Sequence, residues 1–154
     1  MSKKDISKEI VHVQCTSWPD RSAPKDASIL LQLVEVVRAL SVQYSKTTDH
    51  QPPGPWLVHC SAGERSRCCF SQIYKNNNLF YICSVFLGVG RTGTFIALDQ
   101  LLKAVDDPSR QVIDVFNTCY LLRKERRYLV QTVTQYAYLY KCLSTYLLKK
   151  VHSE

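Results

Sequence analysis

The chain has 154 residues, 45% hydrophobic and 21% charged, a composition typical of one globular domain and unlike a disordered segment. Its net charge of +7 comes from scattered basic residues without the interleaved aromatic residues typical of nucleic-acid binding. No apolar stretch reaches the ~18 residues that cross a bilayer, and no signal-peptide pattern is visible. Seven cysteines without a C-x-x-C pair disfavour a disulfide framework or a zinc ribbon and indicate a reducing cytoplasmic setting. We therefore expect no nucleic-acid partner and no membrane contact from this segment, whereas an acidic or phosphorylated ligand stays open.

The first part of the chain predicts a strand, a helix and a second strand. Residues 10–15 alternate in polarity, as a half-buried strand does, until Trp18-Pro19-Asp20 breaks the pattern. A helix capped by Asp26 or Ser28 follows, and residues 45–55 form a polar connector. The apolar residues 56–60 predict a buried strand that ends at a Ser-Ala-Gly turn.

The last part of the chain predicts three helices. The first runs over residues 91–105 and is stopped by Asp106-Asp107-Pro108. Ser109 is expected to cap the second, and Thr132 or Thr134 to begin the third. The result is an α/β pattern with few strands and about four helices.

Two short segments, HCSAG at 59–63 and VGRTGTF at 89–95, read as one motif when they are joined. A strand would end in a cysteine, a glycine-rich turn would follow, and an arginine would open a helix. Successive backbone N–H groups at such a helix N-terminus form a cradle for a phosphate. The joined motif resembles the phosphate-binding loop of the tyrosine-specific protein tyrosine phosphatases. Trp18-Pro19-Asp20 is similar to the mobile acid loop of that family, and Gln131-Thr132-x-x-Gln135 is similar to its water-positioning loop.

The resemblance implies a fold and a reaction. The chain would be the C-terminal half of a tyrosine phosphatase domain that hydrolyses phosphotyrosine without a metal or a cofactor. Cys60 would be a thiolate nucleophile that forms a cysteinyl-phosphate, and Arg91 would bind two phosphate oxygens. Asp20 would protonate the leaving tyrosine oxygen and then act as the base for water.

The remaining matches have supporting roles in the same reaction. Thr92 would hydrogen-bond the sulfur, and Gln131 with Gln135 would orient the attacking water. The substrate-binding residues would be Ser61, Ala62, Gly63, Val89, Gly90, Arg91 and Gln135. Taken singly, each residue has a plainer structural explanation, such as a buried thiol or a turn, and their joint order favours the functional one.

The sequence departs from the family pattern between Cys60 and Arg91. The family has five residues there and this chain has thirty; removing residues 64–88 restores five. A loop of about 25 residues costs only on the order of 3 kcal/mol to close. Splitting the cradle is more serious, because a misplacement of about 1 Å can cost ~100-fold in rate. We therefore predict impaired phosphatase activity for this chain.

These observations divide the chain into segments. Residues 1–63 and 89–148 form a partial phosphatase domain, residues 64–88 an insert, and residues 149–154 a tail. Because residues 79–87 fit pyrimidine-rich codons and both boundaries permit splice-site codons, we interpret the insert as a translated retained intron. The alternative is a genuine surface insertion. The family also has a comparable length before residue 10, including most of the sheet, so independent folding is in doubt.

The predicted partners are phosphotyrosine-containing proteins, met in the cytoplasm by a cytosolic protein or by the intracellular part of a receptor. Two alternatives to an enzyme stay open, a catalytically dead phosphotyrosine-binding or regulatory module and a non-functional fragment. Phosphopeptide affinity without turnover would favour the first, and insolubility of the chain alone would favour the second.

Overall fold

A computed structural model describes residues 11–19, 21–47, 56–60, 72–76, 79–83 and 89–152. Within these ranges, four helices and three strands follow one another along the chain. They are α1 (Ala27–Thr47), β1 (Trp56–Val58), β2 (Gln72–Asn76), β3 (Leu79–Cys83), α2 (Gly90–Asp106), α3 (Val115–Glu125) and α4 (Val133–Val151). The predicted α/β class with about four helices is confirmed, and α4 continues into the segment expected to be a tail.

The three described strands form one sheet in the order β1-β3-β2. Strand β3 runs parallel to β1, with Trp56 opposite Tyr81 and Val58 opposite Cys83. It runs antiparallel to β2, with Gln72 opposite Cys83. Both β2 and β3 lie within residues 64–88, so this segment supplies the described strand that pairs with β1.

The helices pack around α2, which is buried along most of its length and contacts α1, α3 and α4. Apolar residues spaced by three or four positions place one face of each helix inward. Each fully buried aliphatic side chain contributes roughly 1.5–3 kcal/mol relative to an exposed one. The fully buried aliphatic residues include Leu30, Leu31, Val34, Ile96, Leu98, Leu101, Leu102, Leu129, Val130 and Leu139.

Two predictions about the strands need correction. Residues 11–15 form no strand. Alternation alone does not make a strand, because the ladder needs a partner, and no described strand pairs with this segment. Strand β1 is present but is not fully buried, since 60% of Leu57 is exposed. It also ends at Val58, so Cys60 lies in the irregular backbone just beyond it.

Two predictions about helix ends also need correction. Ser109 does not cap α3; its N–H and hydroxyl both donate to the Asp107 carboxylate within a turn. The cap is Asp114, whose Oδ1 accepts from the Asn117 N–H at 2.8 Å. Helix α1 continues to Thr47, which shortens the predicted 45–55 connector. The prediction of Thr132 at the start of α4 is confirmed.

Trp56 fixes the start of β1 against two helices. Its indole Nε1 donates to Ser41 Oγ of α1 at 2.9 Å, and its ring lies 6.3 Å from that of Phe95 in α2. The ammonium group of Lys103 lies 5.7 Å from the centre of the Trp56 ring. These contacts set the position of the strand that leads to Cys60.

A buried carboxylate joins α1 to α2. Asp99 is fully buried, and its Oδ1 accepts from Arg38 Nε at 2.7 Å. Its Oδ2 accepts from Lys103 Nζ at 2.6 Å, and its backbone carbonyl accepts from Arg38 Nη2 at 2.9 Å. Both carboxylate oxygens therefore have charged donors, as a buried carboxylate requires.

We expect Asp99→Asn to lower the free energy of unfolding by about 2–3 kcal/mol. Removing one partner of a buried ion pair leaves the other charges uncompensated, although partial exposure of Arg38 and Lys103 reduces the cost. Urea denaturation measures the change. Asp107→Asn, which removes an exposed carboxylate of the next turn, is the control and should change the midpoint much less. Equal effects of the two substitutions would contradict the prediction.

No helix in the described part of the chain combines the length and the hydropathy required to cross a membrane.

Candidate phosphate-binding site

The N-terminus of α2 presents features that favour an anion. The helix begins at Gly90 after the N-cap residue Val89, and no side chain in the described ranges caps it. Its first turn has no acidic residue and contains the cation Arg91. The first N–H groups of a helix lack intrahelical partners, and the helix dipole adds partial positive charge there. This end of α2 can therefore hold a phosphate-like group.

Arg91 connects this helix end to the Trp18 segment. Its Nη1 donates to the Trp18 carbonyl at 2.9 Å. The Trp18 side chain is buried, with its Nε1 donating to the Ser22 carbonyl at 2.8 Å. Its ring also lies 6.4 Å from that of Tyr138 in α4. The structure thus brings together two of the predicted motifs, although Asp20 itself lies outside the described residues.

Arg21, directly after Asp20, has a φ of 53°. Left-handed backbone is uncommon for a residue other than glycine and requires support from its surroundings. Two hydrogen bonds on either side of Arg21 provide that support. Arg91 donates to the Trp18 carbonyl before it, and the Trp18 indole donates to the Ser22 carbonyl after it. The residues flanking Asp20 are therefore held by contacts with α2 and by the buried indole.

The third motif lies against the same helix end. Gln135 is fully buried, and its Oε1 accepts from the backbone N–H groups of Gln131 (2.9 Å) and Thr132 (3.2 Å). Its Nε2 donates to the Ser22 carbonyl at 3.4 Å. A Cβ added to Gly90 would lie 2.8 Å from Gln135 Nε2 and 3.3 Å from Gln131 Oε1. The absence of a side chain at Gly90 lets both glutamines approach the start of α2.

The contacts of Gln135 are those of a structural residue. Thr132 and Gln135 form a reciprocal capping box at the start of α4. The Gln135 amide also connects α4 to the Trp18 segment through Ser22. The Gln131 side chain is exposed, whereas its backbone is fixed by Gln135. The two glutamines therefore differ in role. The exposed Gln131 side chain can face a ligand, and Gln135 fixes the backbone of Gln131.

Thr92 is buried to 1% exposure, and its Oγ1 has no hydrogen-bond partner among the described residues. Such a hydroxyl costs about 1–3 kcal/mol relative to a paired one. Buried polar groups without partners are uncommon and call for an explanation. The position of Thr92 beside Arg91, in the first turn of α2, suits a group that bonds a ligand or a nucleophile.

Cys60 differs from two other cysteines of the described ranges. It is half-buried, two residues beyond β1. Cys119 and Cys142 are buried among core side chains, and burial raises the pKa of Cys119 to about 11 and that of Cys142 to about 12. Buried thiols with raised pKa values stay protonated and are inert at neutral pH. The two are therefore unsuited to nucleophilic catalysis. Ser61, Ala62 and Gly63 lie outside the described residues.

Three features of this site were not predicted: the backbone carbonyls that accept hydrogen bonds, the capping box of α4 and the hydrogen bonds of Arg123. The Ser22 carbonyl accepts from both Trp18 and Gln135, and the Trp18 carbonyl accepts from Arg91. Backbone acceptors have no residue-type signature, so the sequence could not identify them. The capping box was identifiable, because Thr132-x-x-Gln135 has the spacing of that motif. The third feature is a pair of hydrogen bonds from Arg123 to the loop that precedes α4.

Comparison with known proteins adds an independent observation. The family model for protein-tyrosine phosphatases matches residues 1–75 and residues 67–145. The chain is 38% identical to rat receptor-type tyrosine-protein phosphatase V over 142 residues, which is 92% of this chain and 6% of that protein. It is 32% identical to human receptor-type tyrosine-protein phosphatase C over 144 residues, 94% of this chain and 8% of that protein. Human receptor-type tyrosine-protein phosphatase eta is 34% identical over 128 residues, 83% of this chain and 7% of that protein. The chain thus spans less than a tenth of the length of these relatives.

Proposed function

Because this chain belongs to the protein-tyrosine phosphatase family, we propose that it is part of a catalytic domain that hydrolyses phosphotyrosine in proteins. The observation that supports this most directly is the convergence at the start of α2. Arg91 contacts the Trp18 segment there, and Gln131 and Gln135 lie against Gly90. Three motifs that are far apart in sequence meet at one anion-favouring helix end.

The reaction we propose has two displacements at phosphorus. The Cys60 thiolate attacks, the bond between phosphorus and the tyrosine oxygen breaks, and Asp20 gives its proton to that oxygen. Water oriented by Gln131 then attacks the cysteinyl-phosphate and loses a proton to Asp20. Inorganic phosphate leaves and the thiolate is regenerated. Throughout, Arg91 and the N–H groups at the start of α2 compensate the charge on the phosphate oxygens.

Thr92 and Gln135 support this reaction without exchanging protons with the substrate. The buried Thr92 hydroxyl would donate to the Cys60 sulfur and stabilise it as a leaving group in the second step. Gln135 fixes the Gln131 backbone N–H, and the Gln131 side-chain oxygen lies near Gly90. The phosphate cradle would be completed by Ser61, Ala62, Gly63, Val89 and Gly90.

We propose phosphotyrosine-containing proteins as the partners and the cytoplasm as the location. The receptor-type relatives support an origin in a receptor-type protein. We further propose that residues 64–88 are an insert that impairs the site in this chain. The family model matches in two separate ranges that overlap at residues 67–75, within that segment, which supports an interruption there. Sequencing the gene and its transcripts tests the retained-intron origin: a gene without intron boundaries at 64–88 contradicts it.

Binding of a phosphotyrosine peptide tests the site without requiring turnover. We expect Arg91→Lys to weaken binding about 10-fold or more, because lysine cannot offer the planar fork that binds two phosphate oxygens. Arg110→Lys is the matched control, since Arg110 lies on an exposed turn beside Asp107. Calorimetry measures both. Equal affinities of the two variants would contradict the proposal, and binding without hydrolysis in every version of the chain would favour a regulatory module.

A further inference from the structure

The loop between α3 and α4 contains two strained residues. Tyr128 has a φ of 67° and Val130 a φ of 57°. A β-branched residue with left-handed backbone is a genuine outlier, because its Cβ substituents crowd the neighbouring peptide. Such a conformation persists only where surrounding contacts determine it, and these residues cluster at functional sites. The contacts that hold Val130 therefore indicate what the loop does.

Val130 is attached to the first turn of α2. Its N–H donates to the Val89 carbonyl at 3.2 Å, and the same carbonyl accepts from the Gly93 N–H at 3.1 Å. The Val130 side chain is fully buried. A Cβ added to Gly93 would lie only 2.4 Å from the Val130 nitrogen, so the two backbones touch directly. Val89 immediately precedes the helix end proposed to bind phosphate.

Arg123 holds the other side of the loop. From the last turn of α3, its Nε donates to the Leu129 carbonyl at 2.9 Å and its Nη2 to the Val130 carbonyl at 2.6 Å. Two donors of one planar guanidinium thus bind two consecutive carbonyls. Lysine could keep the charge but could not reproduce this geometry. Val130 is consequently fixed by Arg123 at its carbonyl and by Val89 at its nitrogen.

We propose that Arg123 is a positioning residue for the phosphate-binding loop. By binding the carbonyls of Leu129 and Val130, it holds Val130 in its strained conformation and sets the Val130 N–H against the Val89 carbonyl. It also sets the next residue, Gln131, whose N–H meets Gln135 Oε1 at 2.9 Å. The role of Arg123 in phosphate binding rests on the proposed function. Its two hydrogen bonds to the Leu129 and Val130 carbonyls, which we call the clamp, do not depend on that function. Arg123 acts through the backbone and touches neither substrate nor reacting atoms.

The experiment uses the full chain with Arg123→Lys and Arg123→Met. Amide hydrogen exchange at Val130 and Gly93, measured by NMR, reports the clamp. The dissociation constant for tungstate, a tetrahedral dianion that resembles phosphate, reports the site. Arg127→Lys and Arg127→Met are the matched controls, because Arg127 is an exposed arginine of the same loop. Exchange at Leu139, in the core of α4, reports global opening.

We expect both Arg123 variants to speed exchange at Val130 about 10-fold and to weaken tungstate binding by a similar factor. The Arg127 variants and exchange at Leu139 should not change. If Arg123→Lys has the Val130 exchange rate and the tungstate affinity of the wild-type chain, the proposal is overturned, because a positive charge alone would then be enough to hold the loop. Equal acceleration at Leu139 would also overturn it, by showing a global loss of stability. If neither the wild-type chain nor the chain without residues 64–88 binds tungstate, the proposed function fails, and exchange at Val130 still decides whether the clamp exists.

A second variant tests the connection to strain. Val130→Gly removes the cost of positive φ, so the loop should keep its conformation with less help from Arg123. In that background, Arg123→Lys should accelerate exchange at Gly93 clearly less than in the wild-type chain. Equal effects in both backgrounds would show that Arg123 does not act by holding the strained backbone, which would overturn the proposed mechanism.

Discussion

Replacing Gly93 by alanine is expected to destabilise the chain strongly and to separate the 128–131 loop from α2. The added Cβ would lie 2.4 Å from the Val130 nitrogen and 2.9 Å from both Cα and Cβ of Leu129. Two of these atoms belong to the backbone of the buried residues Leu129 and Val130, so they cannot move away as a flexible side chain could. Overpacking against such atoms costs about 3 kcal/mol or more.

A second effect of Gly93→Ala has the opposite sign. Alanine within a helix is favoured over glycine by about 1 kcal/mol. The cost of the clash exceeds this gain, and a net loss of about 2 kcal/mol is a substantial part of a typical stability of 5–15 kcal/mol. Urea denaturation followed by circular dichroism measures it. Because Val89 accepts from both Gly93 and Val130, tungstate binding should weaken as well.

Gly90→Ala is the matched control, since it adds the same methyl group one turn earlier in the same helix. Its Cβ would meet the side-chain ends of Gln135 and Gln131, at 2.8 Å from Gln135 Nε2. A side chain can rotate where a backbone cannot, so we expect a smaller loss of stability. A Gly93→Ala protein as stable as Gly90→Ala would contradict the close backbone approach.

The helices could be predicted because each carries a periodic apolar face. Helix α1 is predicted by apolar residues at positions 29, 30, 33, 36, 37 and 40. Of these, Leu30 is fully buried and Val36 is 48% exposed, whereas Leu31 and Val34, outside that set, are fully buried. Helix ends were harder, since Ser109 and Asp114 are both capable caps and only the three-dimensional course of 107–114 selects Asp114. The alternation in residues 11–15 was misleading, because a strand depends on a neighbour that the local sequence does not specify.

The sequence predicts the side chains of the candidate site and does not predict how they are connected. Motif order identified Cys60 and Arg91, and the structure places Arg91 beside the Trp18 segment. The acceptors that connect the site are mostly backbone carbonyls: that of Trp18 accepts from Arg91, and that of Val130 accepts from Arg123. A carbonyl is the same group at every residue, so its selection depends on the fold. Arg123 could not be singled out from the sequence for the same reason.

Removing residues 64–88 is expected to restore a phosphate-binding loop and to raise phosphotyrosine hydrolysis about 100-fold or more. The excision joins Gly63 to Val89 and leaves five residues between Cys60 and Arg91. Consecutive N–H groups can then converge on one anion, and misplacement of about 1 Å in such a site can cost ~100-fold in rate. Hydrolysis of a phosphotyrosine peptide is measured with and without the insert, each with Cys60→Ser as the inactive control.

The sheet sets a competing expectation for the same excision. Strand β3 is the described partner of β1, in the register Trp56 to Tyr81, and the excision removes it. Trp56 remains anchored to Ser41 and Phe95 without the insert, so we expect β1 to keep its place against the helices. Thermal unfolding of the excised chain measures this directly. A cooperative transition together with a gain in hydrolysis supports an insert that interrupts the site.

Two outcomes contradict that interpretation in different ways. If the excised chain folds cooperatively and hydrolyses no faster, the split loop is not what limits activity. If the excised chain loses its cooperative transition, the fold requires β2 and β3, and residues 64–88 are not a dispensable insert. Fusing to both versions the preceding half-domain that the family resemblance implies then separates loss of a strand partner from a broken site. Rescue of the excised version alone would locate the defect in the segment between Cys60 and Arg91, because only that version has the five-residue spacing on which the cradle depends.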